Sequence, residues 1–165
     1  MKNVELKLLA ELTRNPRRSD RELARSMGVS QPTVSRTRLR VEKQGLIRYT
    51  GIPDLAKLGF EIVAVTFANS RDKEYQGTGE TKAQDFARRH PCIIFVSTGR
   101  GFGSGSDRVV ISVHKSYSDY AKFIKEIREE WAEFTTITGS FLISTGTDNI
   151  LKSTSLNNLV DHLIE

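Results

Sequence analysis

The chain has very few residues of the kinds that build disulfides or metal sites. It contains one cysteine, Cys92, and three histidines that are scattered along 165 residues. A single cysteine cannot form an internal disulfide, and three isolated histidines do not form a metal-ligand cluster of the usual spacing. We therefore expect no metal and no bound cofactor, and we expect Cys92 to be a small core residue in a reducing environment.

Long hydrophobic runs are also absent from the start of the chain. The N-terminus reads Met-Lys-Asn-Val-Glu-Leu-Lys, in which charges interrupt every apolar stretch. Such a segment has neither the apolar core of a signal peptide nor the length of a membrane-spanning helix. The sequence predicts a soluble cytoplasmic protein with no membrane partner.

Aromatic residues are scarce in the first third of the chain, where positive charge is concentrated. Tyr49 is the only aromatic residue before position 51, whereas all eight Phe and the one Trp come later. Residues 1–50 carry 12 basic and 5 acidic side chains, a net charge of +7, whereas residues 51–165 carry 13 and 15, a net charge of −2. This division predicts two domains, and a basic first domain is typical of a module that binds a polyanion.

The first domain has the pattern of three short helices. Leucines at helical spacing mark the first helix, and Ser19 and Glu22 form a capping box at the start of the second. Gly28 is suited to end the second helix, and Ser30 is suited to cap the third, which Gly45 ends. Two helices joined by such a tight glycine-containing turn form a helix-turn-helix unit. A short extended stretch is expected after the third helix.

The second domain has the pattern strand, helix, strand, strand, helix, strand. The strands are predicted at 60–69, 92–97, 108–114 and 135–144, and the helices at 81–90 and 116–131. This order is the ferredoxin-like βαββαβ arrangement, with both helices on one face of the sheet. We therefore predict an α+β chain with a helix-turn-helix domain at 1–53, a linker at 54–59 and a ferredoxin-like second domain at 60–165. A last short helix, at 156–164, is assigned to the second domain.

The outer face of the third helix is strongly basic. Helical periodicity places Arg36, Arg40 and Lys43 on the side away from the core residue Val34. In the major groove of DNA, first-turn residues of such a helix reach base edges and the cations further along reach phosphates. The alternative is an ordinary solvated charged face. The predicted DNA-contacting residues are Gln31, Thr33, Ser35, Arg36, Arg40 and Lys43.

The first strand of the second domain is apolar on both faces. One face should contact solvent in a two-layer domain, yet neither set of alternating residues is charged. The two sets are Ile62, Ala64 and Thr66 on one side and Val63, Val65 and Phe67 on the other. We therefore expect the outer face to be covered by a second copy of the chain, which makes at least a homodimer.

The first domain also carries a longer motif that is shared with a known family. The motif is Glu-Leu-Ala-Arg-Ser-Met-Gly-Val-Ser-Gln-Pro-Thr-Val-Ser-Arg (22–36), followed by Glu42, Gly45-Leu46-Ile47, Tyr49 and Leu58-Gly59. It resembles the winged helix-turn-helix of the leucine-responsive/asparagine-regulator (Lrp/AsnC) transcription factors. The resemblance implies a ligand-sensing second domain, dimers formed through the sheets, and operators with two-fold symmetry. Arg38 departs from the family, which usually has an aliphatic residue there, so we expect its stem to pack and its charged head to reach solvent.

A glycine-rich loop at 99–107 joins the second and third strands of the second domain. The resemblance implies that a small effector, an amino acid in the usual pattern of the family, binds at this turn. Glycines allow close backbone approach, and Asp107 can bind an ammonium group. The predicted effector-binding residues are Gly99, Arg100, Gly101 and Asp107. The alternative is a long flexible hairpin without a ligand.

These features favour a sequence-specific, double-stranded-DNA-binding transcriptional regulator that a small metabolite modulates, with no catalytic residues. The alternative is an enzyme like the siroheme decarboxylases, which share the two-domain architecture and need His and Arg groups facing propionates. The chain offers His114, Arg100 and Arg108 for that purpose. A third possibility is a metabolite-binding module that regulates another protein.

Overall fold

The computed structural model describes residues 3–71, 78–101, 103, 105–146, 150, 155–157 and 159–160. The chain divides into two compact units, and the boundary between them lies after Ile52. Among the described residues, no helix is both long enough and apolar enough to cross a membrane.

The first unit contains three helices whose ends follow from the sequence. They are α1 (Asn3–Arg14), α2 (Asp20–Met27) and α3 (Gln31–Lys43). The predicted capping box is confirmed: the Ser19 side chain accepts from the Glu22 backbone N–H, and the Glu22 carboxylate accepts from the Ser19 backbone N–H. These hydrogen bonds hold the pKa of Glu22 below its usual value. Gly28 ends α2 with a φ of 66°, in the left-handed region that favours glycine.

The three helices enclose one apolar core. Seven side chains in it are buried: Leu8, Leu9, Leu12, Leu23, Ala24, Val34 and Val41. Met27 and Val29 lie at its edge, partly buried, on either side of the turn between α2 and α3. Because all three helices contribute to this core, the face that α3 leaves exposed is set by packing as well as by its own sequence.

Residues 44–61, which follow α3 and are all described, contain no strand. Gly45 has a φ of 66°, which turns the chain away from the helix. The Tyr49 hydroxyl donates a hydrogen bond to Glu42 Oε1 at 2.8 Å, so it ties this segment back to α3. Partial burial of the phenol, together with the hydrogen bond to the Glu42 carboxylate, raises the pKa of Tyr49 to about 12.

The second unit is a four-stranded sheet with two helices. Its elements are β1 (Ile62–Ser70), α4 (Thr78–Arg89), β2 (Ile93–Thr98), β3 (Arg108–His114), α5 (Tyr117–Trp131) and β4 (Thr135–Ser144). The strand order is β2-β3-β1-β4, and every neighbouring pair is antiparallel. This order confirms the predicted ferredoxin-like arrangement.

One face of the sheet packs against the two helices. The buried residues of this core are Phe86, Phe123, Ile127 and Trp131, and Cys92 packs partly buried beside them. Burial raises the pKa of the Cys92 thiol, which keeps it in the neutral form at physiological pH. Ala64, Thr66 and Ala68 of β1 are buried as well. Thr66 and Ala68 lie on the same side as Phe86 and Ile127.

The other face of the sheet is apolar and uncovered in the single chain. Because successive side chains of a strand point to opposite faces, Val63, Val65 and Phe67 lie on this side. Their partners across the sheet are apolar too: Val65 is paired with Ile111 on β3 and with Phe141 on β4. Phe141 is 66% exposed and Phe67 is 36% exposed. We call this surface, formed by 63, 65, 67, 109, 111 and 141, the outer sheet face.

The sequence assigns the C-terminal tail, residues 152–165, to the second domain. Its described residues, 155–157 and 159–160, group with the first unit instead. Leu159 and Val160 are helical, and the side chain of Val160 is fully buried. The rest of the helix predicted at 156–164 lies outside the described residues.

Candidate nucleic-acid interface

The first turn of α3 is held in place by its cap. Ser30 Oγ accepts a hydrogen bond from the Thr33 backbone N–H at 3.4 Å and lies 2.8 Å from Thr33 Oγ1. Pro32 adds a fixed φ in the first turn. Gln31 and Thr33 are exposed on this rigid turn, so their amide and hydroxyl groups are presented to solvent.

Two of the predicted cations are exposed on α3. Arg36 and Lys43 lie two turns apart on the same side of the helix, and neither makes a hydrogen bond or ion pair with the described residues. Both charges are therefore available to a partner. Leu39, which is 66% exposed, lies between them on the same face.

Arg40 lies at the edge of this face and has a partner inside the first unit, which the sequence did not predict. Its Nη2 lies 2.7 Å from Glu5 Oε1 on α1, and Glu5 is buried. At about 100° per residue, Arg40 lies about 120° from Val34 rather than opposite it, at the edge that faces α1. Its charge is therefore used inside the domain.

We expect the Arg40–Glu5 pair to contribute to stability rather than to DNA binding. Arg40→Ala should lower the free energy of unfolding by about 1 to 3 kcal/mol, between the values for exposed and for buried pairs, because the Glu5 side chain is buried while that of Arg40 is 41% exposed. The matched variant Arg36→Ala should stay within about 0.5 kcal/mol of wild type. Urea unfolding measures both changes. Equal effects of the two substitutions would show that the pair is not a structural contact.

Ser35 is also committed inside the domain. Ser35 Oγ donates to Asp20 Oδ2 at 2.5 Å, and Arg38 Nε lies 2.8 Å from Asp20 Oδ1. Arg38 Nη2 in turn donates to the Arg18 carbonyl at 3.0 Å. The head of Arg38 is therefore held by contacts inside the first unit and is only partly exposed, where the sequence predicted a head that reaches solvent freely. This network fixes α2 against α3. Ser35 acts here as a positioning residue for α3.

Several exposed arginines of the first unit were not singled out from the sequence. Arg14 and Arg18 pair with Glu11, and Arg38 and Arg40 pair as described above. The excess positive charge of the domain is carried mostly by cations outside these pairs. Besides Arg36 and Lys43, the exposed arginines that have no ion pair among the described residues are Arg17, Arg21, Arg25 and Arg48. Charge counting detects them as a group, but only tertiary structure separates them from the paired ones.

The glycine-rich loop forms a hairpin between β2 and β3. The Gly99 backbone N–H donates to the Asp107 carbonyl at 2.8 Å, and the Gly101 N–H donates to the Ser106 carbonyl at 2.7 Å. Gly99, Arg100 and Gly101 are exposed. Residues 102 and 104 lie outside the described residues.

Asp107 has a structural contact in addition to its predicted role. Its Oδ1 accepts from the Ser70 backbone N–H at 2.9 Å, at the end of β1. The carboxylate remains 46% exposed. The hairpin therefore presents a half-exposed carboxylate beside exposed glycines, as the effector hypothesis requires.

The structure separates the residues of the enzyme alternative. Arg108 and His114 begin and end β3, so about 20 Å of strand lies between them, and Arg100 lies in the loop beyond Arg108. His114 is buried, and its Nε2 lies 2.8 Å from Ser112 Oγ. Burial lowers the pKa of His114, although Asp119 opposes this shift. His114 is therefore a neutral core residue, and these three groups do not form one site.

Comparisons with known sequences agree with the geometry of the first unit. Residues 1–48 match a family described as winged helix-turn-helix DNA-binding. The chain is 28% identical over 125 residues to the HTH-type transcriptional regulator Ptr1 of Methanocaldococcus jannaschii, over 74% of this chain and 78% of that protein. It is 25% identical over 126 residues to an uncharacterised HTH-type transcriptional regulator of Pyrococcus furiosus, over 76% and 80% of the two chains.

Solved structures share the whole architecture. LrpC of B. subtilis is similar with a TM-score of 0.68 at 20% identity, over 87% of this chain and 94% of that chain. AsnC of E. coli is similar with a TM-score of 0.73 at 14% identity, over 93% and 97%. The regulator NMB0573 of Neisseria meningitidis, solved as a complex with L-Met, has a TM-score of 0.73 at 15% identity, over 96% and 99%. At these identities the likeness shows a common fold.

Proposed function

We propose that the chain is a DNA-binding transcriptional regulator, because residues 1–48 match a winged helix-turn-helix DNA-binding family and the fold is shared with LrpC and AsnC. The observation that carries this proposal is the exposed face of α3. Its capped first turn presents Gln31 and Thr33, and Arg36 and Lys43 lie behind them without partners among the described residues. Most other basic helix faces are solvated surfaces, but this one follows a tight glycine turn in a helix-turn-helix.

The roles of the side chains follow from their places on α3. Residues near the N-terminus of a recognition helix reach base edges, so Gln31, Thr33 and Arg36 are assigned to sequence readout. Lys43, in the last turn, is assigned to a phosphate, which positions the protein without reading sequence. Arg40 and Ser35 are left out of both groups because of their contacts inside the domain.

The outer sheet face supports a dimer as the DNA-binding form. An uncovered apolar sheet is costly in water, and a second copy of the chain covers it with a matching surface. A two-fold dimer carries two copies of α3, which places its half-sites about one helical turn apart, roughly 34 Å, or a multiple of it.

Binding to genomic fragments with sequenced footprints tests this proposal. We expect protected sites with two-fold symmetry and an affinity that falls steeply with salt, because phosphate contacts release counterions. Binding of comparable strength to every fragment would remove the sequence-specific part of the proposal. Absence of DNA binding at moderate salt would favour a module that regulates another protein.

We also propose that an amino acid-like effector binds at the 99–107 hairpin and modulates DNA binding. The structural neighbour solved with L-Met supports an effector of this class. On this chain the supporting feature is the half-exposed Asp107 carboxylate beside Gly99 and Gly101. A carboxylate of this kind can accept charge-assisted hydrogen bonds from an α-ammonium group.

Calorimetry across the amino acids tests the effector site. Asp107→Asn should weaken binding by about tenfold or more, because it removes the charge but keeps an oxygen that can accept from Ser70 N–H. Lys115→Gln is a control on the far end of β3. If no amino acid binds, or if Asp107→Asn binds as tightly as wild type, the effector does not bind at this hairpin.

A further inference from the structure

The second unit contains a cavity between its sheet and its helices. Its volume is about 300 Å³, at the lower end of the range for small-molecule sites. Ala83 and Ala87 of α4 lie on one side, and Ala68 of β1 lies on the other. Small side chains from facing elements thus leave space where a ferredoxin-like core is usually filled.

Most of the cavity lining is apolar. Phe86 and Trp131 contribute two aromatic rings whose centroids lie 5.6 Å apart in an edge-to-face arrangement. Ile127 and Val110 add aliphatic surface. An apolar wall of this kind accommodates a hydrophobic group but offers little to a polar one.

Arg108 brings a positive charge into this apolar lining. Its side chain is 15% exposed, and its Nη1 donates to Thr135 Oγ1 at 3.3 Å. Its Nε is buried and has no acceptor among the described residues. The carboxylate oxygen that it approaches, Asp107 Oδ1, lies 4.0 Å from Arg108 Nε. That oxygen already accepts a hydrogen bond from the Ser70 backbone N–H. Burying a charge without a close partner is unfavourable, so this guanidinium is suited to an anion that the described part of the chain does not supply.

A second buried donor lies in the lining. The indole Nε1–H of Trp131 is buried and finds no acceptor in the described part of the chain. Buried indole N–H groups usually have a partner. Two lining residues therefore have donors without a partner among the described residues, so a molecule bound there is best matched if it carries acceptors.

We propose that this cavity binds a small monocarboxylate with an apolar body. The carboxylate pairs with the Arg108 guanidinium, and the body lies against Phe86, Ile127 and Trp131. The cavity borders the 99–107 hairpin, because Thr98 and Arg108 line it, but Gly99, Arg100, Gly101 and Asp107 do not. The proposal concerns binding alone and does not depend on DNA recognition.

Trp131 allows a direct measurement, because it is the only tryptophan in the chain. The probes are benzoate, phenylacetate, phenylpropionate and octanoate, each compared with its uncharged amide. We expect at least one acid to change the tryptophan emission saturably, and calorimetry to give the same affinity. The matching amide should bind about tenfold more weakly or worse, because it lacks the charge that pairs with Arg108.

Three variants locate the site. Arg108→Gln should reduce the affinity for the acid by about tenfold or more and leave the affinity for the amide nearly unchanged. Ala87→Leu should reduce the affinity for both the acid and the amide, because the larger side chain fills the cavity from α4 without removing a charge. Arg88→Gln, on the exposed side of α4 with its side chain 76% exposed, should change neither. Circular dichroism and thermal unfolding establish that each variant is folded.

The proposal is overturned by any of three results with folded protein. The first is that no acid in the panel binds wild type by calorimetry up to millimolar concentration. The second is that acid and amide bind equally well. The third is that either Arg108→Gln or Ala87→Leu binds the acid as tightly as wild type, which would place the ligand elsewhere.

Discussion

Replacing both Arg36 and Lys43 by alanine should reduce the affinity for a specific operator by about 100-fold or more. One good bidentate base contact contributes about 1 to 3 kcal/mol of discrimination, and a two-fold dimer makes that contact twice. Removal of the Lys43 charge from the phosphate backbone adds to this effect at low salt. Gel-shift or anisotropy titration against a footprinted site measures the change.

The two substitutions should have different effects on DNA binding when each is made alone. Lys43→Ala should weaken binding to all sequences alike and flatten the salt dependence by about one unit of slope for each phosphate that a subunit no longer neutralises. Arg36→Ala should instead reduce the difference between the affinity for operator DNA and the affinity for random DNA. Arg88→Ala serves as the charge-matched control, because it removes an exposed arginine from the second unit.

Stability must be measured beside affinity. Since Arg36 and Lys43 are exposed, both variants should unfold within about 0.5 kcal/mol of wild type. If the folded double variant binds its operator as tightly and as selectively as wild type, α3 is not the recognition helix.

If the proposed dimer forms through the outer sheet face, Phe141→Glu should convert it into a monomer. Phe141 is 66% exposed in the single chain but lies on the outer sheet face, where a dimer would bury it in both subunits. Burying a Phe side chain is worth about 1.5 to 3 kcal/mol, so removing two of them and burying two carboxylates should weaken association by about 100-fold or more. Light scattering at micromolar concentration should show twice the 18.6 kDa chain mass for wild type and a single mass for the variant.

Tyr117→Glu is a matched control for the dimer. Tyr117 is an aromatic residue of nearly equal exposure, 65%, but it lies on α5 rather than on the sheet. Its substitution should leave the mass of the dimer unchanged. A wild-type protein that is monomeric at micromolar concentration, or an equal effect of both substitutions, would rule out the outer sheet face as the dimer contact.

The helix ends and the strand order could be predicted from sequence because short-range rules govern them. The Ser19–Glu22 capping box and the Gly28 turn depend on residues three or four positions apart, which backbone geometry brings together in any helix. The ferredoxin-like order follows from six well-separated apolar segments with alternating or helical periodicity. The exposed positions of Gln31, Thr33, Arg36 and Lys43 follow from the same periodicity.

Only the tertiary structure decided which polar groups are used inside the domains. Arg40 and Arg36 look alike in sequence, but α1 happens to bring a buried carboxylate, Glu5, beside Arg40. Asp20 likewise engages Ser35, 15 residues away. Helical periodicity gives the angle of a side chain around the helix axis, but it carries no information on which residues of other helices lie next to that side chain. Contacts of this length depend on how the helices pack.

The same reason explains the second unit. Asp107 meets Ser70 across 37 residues, and the strand geometry of β3 holds Arg108 and His114 at opposite ends although they are six positions apart. The cavity beside Arg108 is a property of three facing alanines from α4 and β1, which no local pattern relates to one another. The sequence by itself thus determined the elements and their order. The packing of those elements decided which charges are compensated, because compensation requires a partner within a few ångströms that is distant along the chain.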